Sequence, residues 1–132
     1  MPVDEFGRNY ESLKTVVVLG ATPKEDRYAF RALQLLLTKG HRAIPVNPAF
    51  DEILGVPCFK SIREITEPID TVTMYLSSAR SDPLIPDIVA AHPRRIIFNP
   101  GAENEQLEGE AKAAGIEVVE ACSIVMLQTG TF

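Results

Sequence analysis

Apolar residues in this chain fall into short unbroken runs separated by stretches of helical spacing. Residues 15–19, Thr-Val-Val-Val-Leu, run into Gly20 and stop. A short apolar run closed by a turn residue predicts a strand buried on both faces. The period then changes. Tyr28, Phe30, Ala32, Leu33, Leu35, Leu36 and Leu37 predict a helix over about 27–39, with Asp26 as its N-cap and Gly40 as its C′ residue. A second strand is expected at 42–46, closed by Asn47-Pro48. Pro45 lies inside it and cannot donate to a ladder, so this strand belongs at an edge or in an irregular stretch. Residues 49–57 read as a compact connection and 62–65 as a helical turn. A third strand is expected at 71–76, then a helix at 83–91 capped by Ser81-Asp82 and ended by His92-Pro93. A fourth strand at 95–98 runs into Asn99-Pro100-Gly101. A helix at 104–114 ends at Gly115, and a fifth strand follows at 116–119. Residues 4–13 read as a short leading helix, and the apolar tail 122–127 as a last half-buried turn or helix.

Strands that alternate with helices predict a parallel sheet wrapped on both faces. The expectation is a Rossmann-like, doubly wound α/β fold with five mainly parallel strands, in a single domain over residues 1–132. In such a sheet, ligands bind outside the carboxyl ends of the strands, beside the first one. Polar turns stand at those ends here: 20–23, 46–48 and 99–101. The stretch 76–80, Leu-Ser-Ser-Ala-Arg, makes a fourth wall.

Composition narrows the ligand. The chain has 132 residues, 45% of them hydrophobic, enough for a real core. No apolar run approaches the roughly 20 residues needed to cross a bilayer. The first residues are acidic and lack the apolar core of a signal peptide, so a cytoplasmic protein is expected. Its formal net charge of -5 argues against a nucleic-acid partner. An anionic small molecule would have to be held by local donors. Cys58 and Cys122 lie far apart without metal spacing, so neither a metal site nor a disulfide framework is expected.

Gly20 has two readings. It makes a tight strand-to-helix turn, or its missing Cβ lets a ligand or a second backbone come close. Amides after Gly20, at the open end of a helix, favour phosphate. The turn has one glycine where a dinucleotide site has three, and strand two ends in Asn47-Pro48 where that site has an acid. A standard NAD site is therefore disfavoured, and the Walker pattern of ATP hydrolysis is absent. The turns suit another pyrophosphate-bearing adenosine ligand, coenzyme A. Thr22 offers a hydroxyl, and Lys24, Arg27 and Arg31 offer cations on or near the first helix, or form an ordinary solvated face. Asn47 reads an adenine edge or ribose, or only shapes the turn before Pro48.

These residues carry a resemblance. Val-Leu-Gly-Ala-Thr-Pro at 18–23, Arg27 with Arg31, Ile-Pro-Val-Asn-Pro at 44–48, Glu-Ile-Leu-Gly at 52–55 and Asn-Pro-Gly-Ala-Glu-Asn at 99–104 occur in this order. From about Lys14 onward the chain resembles the single-domain CoA-binding proteins, whose fold is similar to the CoA-binding domain of succinyl-CoA synthetase α subunits. The resemblance implies that the first turn takes the CoA diphosphate and that the ends of strands two to four wall the nucleotide. The resemblance puts these roles on Gly20, Ala21, Thr22, Asn47, Pro48 and Ser77, and with Pro23, Arg27, Arg31, Asn99 and Gly101 they make up the expected site. Many such proteins carry basic residues just after strand three; this chain has Leu76-Ser77-Ser78 there, with Arg80 later. The synthetases add an ATP-grasp partner and a phosphorylated histidine, so ligase activity is not implied.

No convincing catalytic set is legible. His41 opens strand two, at the far end of the sheet, and His92 ends a helix. Glu103, Asn104 and Glu105 open a helix, where acids suit the dipole. Cys122, just past strand five, is either a buried small residue or a thiol at the ligand edge. The expected function is therefore a non-catalytic module binding CoA or an acyl-CoA, with no protein partner, acyl group or pathway specified. The alternative is a nicotinamide-nucleotide or thiol-redox protein using the same cleft with Cys122.

Overall fold

The computed structural model describes residues 13–132. In chain order the elements are β1 (Thr15–Leu19), α1 (Tyr28–Thr38), β2 (Arg42–Val46), β3 (Glu52–Ile53), β4 (Val56–Pro57), β5 (Thr71–Met74), α2 (Ser78–Ser81), α3 (Ile85–Ala91), β6 (Arg95–Phe98), α4 (Glu105–Ala113), β7 (Glu117–Glu120) and α5 (Ser123–Thr129). Single 3-10 turns stand at Ile62–Glu64 and Asp82–Leu84. The leading helix expected at 4–13 falls outside the described residues, Leu13 apart.

The sheet order is β2-β1-β5-β6-β7, all parallel. The α/β Rossmann-like class expected from the strand–helix alternation is the one observed. Alternation along each strand sends its residues to two cores. Val17, Leu19, Ile44, Val72, Met74, Ile96 and Phe98 pack with Ile85, Ile88 and Leu107 of α3 and α4. Val16, Val18 and Ala43 pack with Phe30, Leu33 and Leu36 of α1 and Leu127 of α5. The valines of β1 are fully buried because β1 has strands on both sides and helices on both faces. Pro45 is tolerated because β2 is an edge strand. It faces Val18 in register, and its carbonyl accepts from the Phe59 amide.

Three local expectations are corrected. Asp26 does not cap α1; Arg27 holds the cap position in extended backbone and contributes no side-chain bond. Ser81-Asp82 does not open a helix. The chain coils earlier, as α2, then passes through a 3-10 turn into α3. Pro83 and Pro86 lack the amides that one continuous α-helix would use there, so the helical path changes pitch. The third strand stops at Met74, two residues short of the expected end. The connection after β2 also holds a small hairpin, β3 with β4, whose tip residues Leu54 and Gly55 both have positive φ, 54° and 74°. That pair matches a type I′ turn, which normally prefers residues other than leucine at its first position.

Candidate functional site

At the carboxyl edge of the sheet, β1 ends at Gly20 with φ of +93°. A Cβ placed there would lie 2.9 Å from Leu76 Cδ2 and 3.1 Å from the Tyr75 carbonyl carbon. The close approach that glycine permits is therefore to the chain leaving β5. The Gly20 and Ala21 amides both donate to the Val46 carbonyl, at 3.0 and 3.3 Å. They tie β1 to β2, so the amides open to a ligand come later.

Those later amides belong to α1. Its first turn contains no acid and receives no side-chain cap. Among the described residues the Tyr28, Ala29 and Phe30 amides have no hydrogen-bond partner. Such a helix end presents donors and the positive end of the dipole. The Thr22 hydroxyl oxygen accepts from the Lys24 amide at 3.2 Å, which leaves its proton free to donate.

Two hollows lie along this edge. The larger, about 670 Å³, is lined by Thr22, Lys24, Arg27 and Ala29 on one side and by Tyr75, Pro100, Gly101 and Ala102 on the other. The smaller, about 270 Å³, has an apolar floor of Leu19, Val46, Ile62 and Leu84, with Pro48, Lys60 and Ser61 beside it. Gly20, Asn47, Leu76 and Arg80 line both and form the wall between them. Among the described residues four cations, Lys24, Arg27, Lys60 and Arg80, line the pair against one carboxylate, Asp26. In a chain of net charge -5 that local excess is a signal for a polyanionic ligand.

The other implied site residues are distributed unevenly. Asn47 lines both hollows, but its amide is committed: Nδ2 donates to the Ala21 carbonyl at 2.8 Å, and Oδ1 accepts from the Ala49 amide at 2.8 Å. Asn99 is buried, and its amide bridges three segments. Nδ2 donates to Thr73 Oγ1 at 2.7 Å and to the Met74 carbonyl at 2.9 Å, while Oδ1 accepts from the Ser123 amide at 2.8 Å. This amide holds β5, β6 and α5 together, so the residue supports the site from beneath. Pro23 and Ser77 are exposed, and neither lines a hollow. Arg31 lies one turn along α1, stacked 5.8 Å from the Tyr28 ring centroid, and also lines neither. The structure adds Lys60 and Tyr75, and from the expected fourth wall it brings Leu76 and Arg80 to the hollows. Lys60 gave no sequence signal, because only folding brings the stretch after β4 to this edge. Arg80 stood at the end of the fourth wall, and the turn of α2 brings it back to the cleft.

Tyr75 Oη is buried without a hydrogen-bond partner. Thr73 and Ser123 lie beside it, and their hydroxyls bond each other at 2.8 Å. Burial pushes this phenol well above its ordinary range. Cys122 precedes α5 and is half-buried, whereas Cys58 is buried and burial pushes its thiol up. Among the described residues no group of three or more His, Cys, Asp and Glu side chains is placed to hold a metal.

Residues 14–128 match the family described as CoA binding domain. The chain belongs to this family. The uncharacterized protein YneT of Bacillus subtilis is 28% identical over 106 residues, covering 80% of this chain and 78% of that one. An ADP-forming acetate–CoA ligase of Methanocaldococcus jannaschii is 31% identical over 76 residues, 54% of this chain and 11% of the ligase. A solved structure described only as an uncharacterized protein is 41% identical, with a TM-score of 0.87, covering 92% of this chain and 99% of the other. The chain thus spans a small part of the ligase and nearly all of that structure. Among the described residues, no helix is long and apolar enough to cross a membrane.

Proposed function

We propose that this protein binds CoA, or an acyl-CoA, across the carboxyl edge of the sheet and acts as a binding module without chemistry of its own. The observation that carries the reading is the excess of cations, Lys24, Arg27 and Arg80 with a partly neutralised Lys60, lining two adjoining hollows beside an uncapped helix start. The diphosphate lies at the first turn of α1, where the Tyr28 and Ala29 amides, the Thr22 hydroxyl, Lys24 and Arg27 converge. The adenine fills the smaller, apolar-floored hollow, and the pantetheine arm runs along the larger one towards Gly101. Membership of the CoA binding domain family supports the same ligand.

The binding-module reading rests on where the titratable groups stand. His41 precedes β2 and His92 follows α3, so both histidines belong to the opposite edge of the sheet. A nicotinamide dinucleotide has less to hold it: β2 runs into Asn47, whose amide is committed, and the strand ends in Asn47-Pro48 where the ribose hydroxyls of such a ligand call for an acid.

Thermal unfolding with each ligand tests the assignment. CoA at about 100 times its dissociation constant adds about 2.7 kcal/mol and raises Tm, while NAD shifts it weakly or not at all. Equal shifts by the two ligands refute the CoA reading. Mass analysis of any ultraviolet-absorbing ligand carried by freshly purified protein identifies the occupant directly.

A further inference from the structure

We infer that Arg80, with Lys60 of the same hollow, receives the 3′-phosphate of the bound nucleotide, so that this chain selects CoA over 3′-dephospho-CoA. The inference rests on the CoA reading above and specifies what that reading leaves open. Lys24, Arg27 and the start of α1 already supply the larger hollow with donors for a diphosphate. Lys60 lines only the smaller hollow, whose floor is apolar, and Arg80 stands on the wall where that hollow meets the larger one. A base on that floor places its ribose at the rim. The 5′ substituent then leaves over the shared wall towards α1. A 3′-phosphate has no such route and stays at the rim, beside Lys60 and Arg80.

The two cations are not equivalent. Lys60 Nζ is held by Asp51 Oδ1 at 2.7 Å and by the Phe50 carbonyl at 3.1 Å. Its charge is therefore partly spent, and the ammonium holds Asp51 below the usual carboxylate range. Arg80 makes no ion pair or side-chain hydrogen bond among the described residues. The nearby carboxylate Asp82 accepts from Asn104 at 2.9 Å. A guanidinium fork with all its donors unspent matches the oxygens of a phosphate dianion. Arg80 is anchored at its backbone, where its amide donates to the Ser77 carbonyl at 3.0 Å within α2.

Calorimetric titration of the wild type, Arg80→Gln and Lys60→Gln with CoA and with 3′-dephospho-CoA tests the inference. The wild type is expected to bind CoA about tenfold or more tightly than dephospho-CoA. Arg80→Gln brings that ratio towards one, and Lys60→Gln lowers it by less. Both side chains are exposed, so circular dichroism and Tm serve as folding controls. Equal binding of the two nucleotides by the wild type overturns the 3′-phosphate assignment while leaving the CoA reading standing. Equal weakening of both by Arg80→Gln also overturns it, since that result places Arg80 on the diphosphate. Binding of neither nucleotide overturns both readings.

Discussion

The two edges of the sheet carry similar numbers of cations and use them in opposite ways. At the amino edge, Arg42 donates to Glu67 at 3.0 and 3.1 Å. Arg94 bridges Asp70 and Glu117 at 2.8 and 3.1 Å. Buried Arg95 lies over the Phe132 ring at 4.7 Å, and its Nε donates to Thr71 Oγ1 at 3.1 Å. A hollow of about 580 Å³ lies here too, lined by Lys14, Ile69, Asp70 and Arg94. At the carboxyl edge, Arg80 faces the cleft without a carboxylate, and α1 begins without a cap. Size alone does not separate this hollow from the larger one at the carboxyl edge. What separates them is how far the charge is answered from within the fold: Arg42 and Arg94 meet carboxylates, whereas Arg80 makes no ion pair among the described residues.

The comparison is broken most severely where the carboxyl edge depends on buried bonds. Asn99→Ala removes three bonds and strands a buried amide and carbonyl, which is expected to cost about 3 kcal/mol in urea unfolding. A smaller loss would mean that water or relaxation replaces the amide. Gly20→Val sets a branched side chain against Leu76 in a left-handed conformation. The expected cost is about 2 kcal/mol or more, so Tm falls even without ligand. An unchanged Tm with lost CoA binding would restore a purely ligand-facing role for this glycine.

Smaller changes sharpen the contrast. Lys24→Gln with Arg27→Gln should weaken CoA binding by about tenfold or more in calorimetry, with Tm almost unmoved. Arg94→Ala, at the paired edge, should leave CoA affinity unchanged and cost no more than about 1 kcal/mol, because its ion pairs are exposed. If both variants weaken CoA equally, the edges do not differ as described.

The smallest effect concerns His41. Its Nδ1 accepts the Lys14 amide at 3.0 Å, which requires the unprotonated ring nitrogen. Burial, then Lys14 and Arg95, hold its pKa below the ordinary value, with Asp70 opposing and Lys39 adding slightly. The unfolded chain therefore binds a proton at His41 more readily than the folded one. This contribution to stability is complete above about pH 6.5 and is lost as the pH falls from there to the lower folded value. Unfolding midpoints of wild type and His41→Gln across that range should converge on acidification; parallel curves would remove His41 from the account.

Much of the fold was legible because its signals are local. Val16 to Leu19 are apolar without interruption because β1 is buried on both faces, and Gly40 ends α1 with φ of +88° as its position implied. Pro45 announced an edge strand, since a missing amide is tolerated only there. The helix after β5 was less legible, because Pro83 and Pro86 alter its pitch through amides they lack. The site was legible as turns and much less so as side chains. Asn47 and Asn99 were named from the turns, yet their amides close on Ala21, Ala49, Thr73, Met74 and Ser123, partners far away in sequence in all but one case.

By itself, then, the sequence determined the alternation of the main strands and helices, the edge proposed here for the ligand, and the family. Those depend on hydrophobic period, on residues with special backbone freedom and on the order of short motifs, all carried by neighbouring residues. Only the tertiary structure decided which cations are free. Arg42, Arg94 and Arg80 are alike along the chain. Two meet carboxylates contributed by other segments, and one meets the cleft. Pairing is a property of distance between segments, and distance is set by the packed sheet.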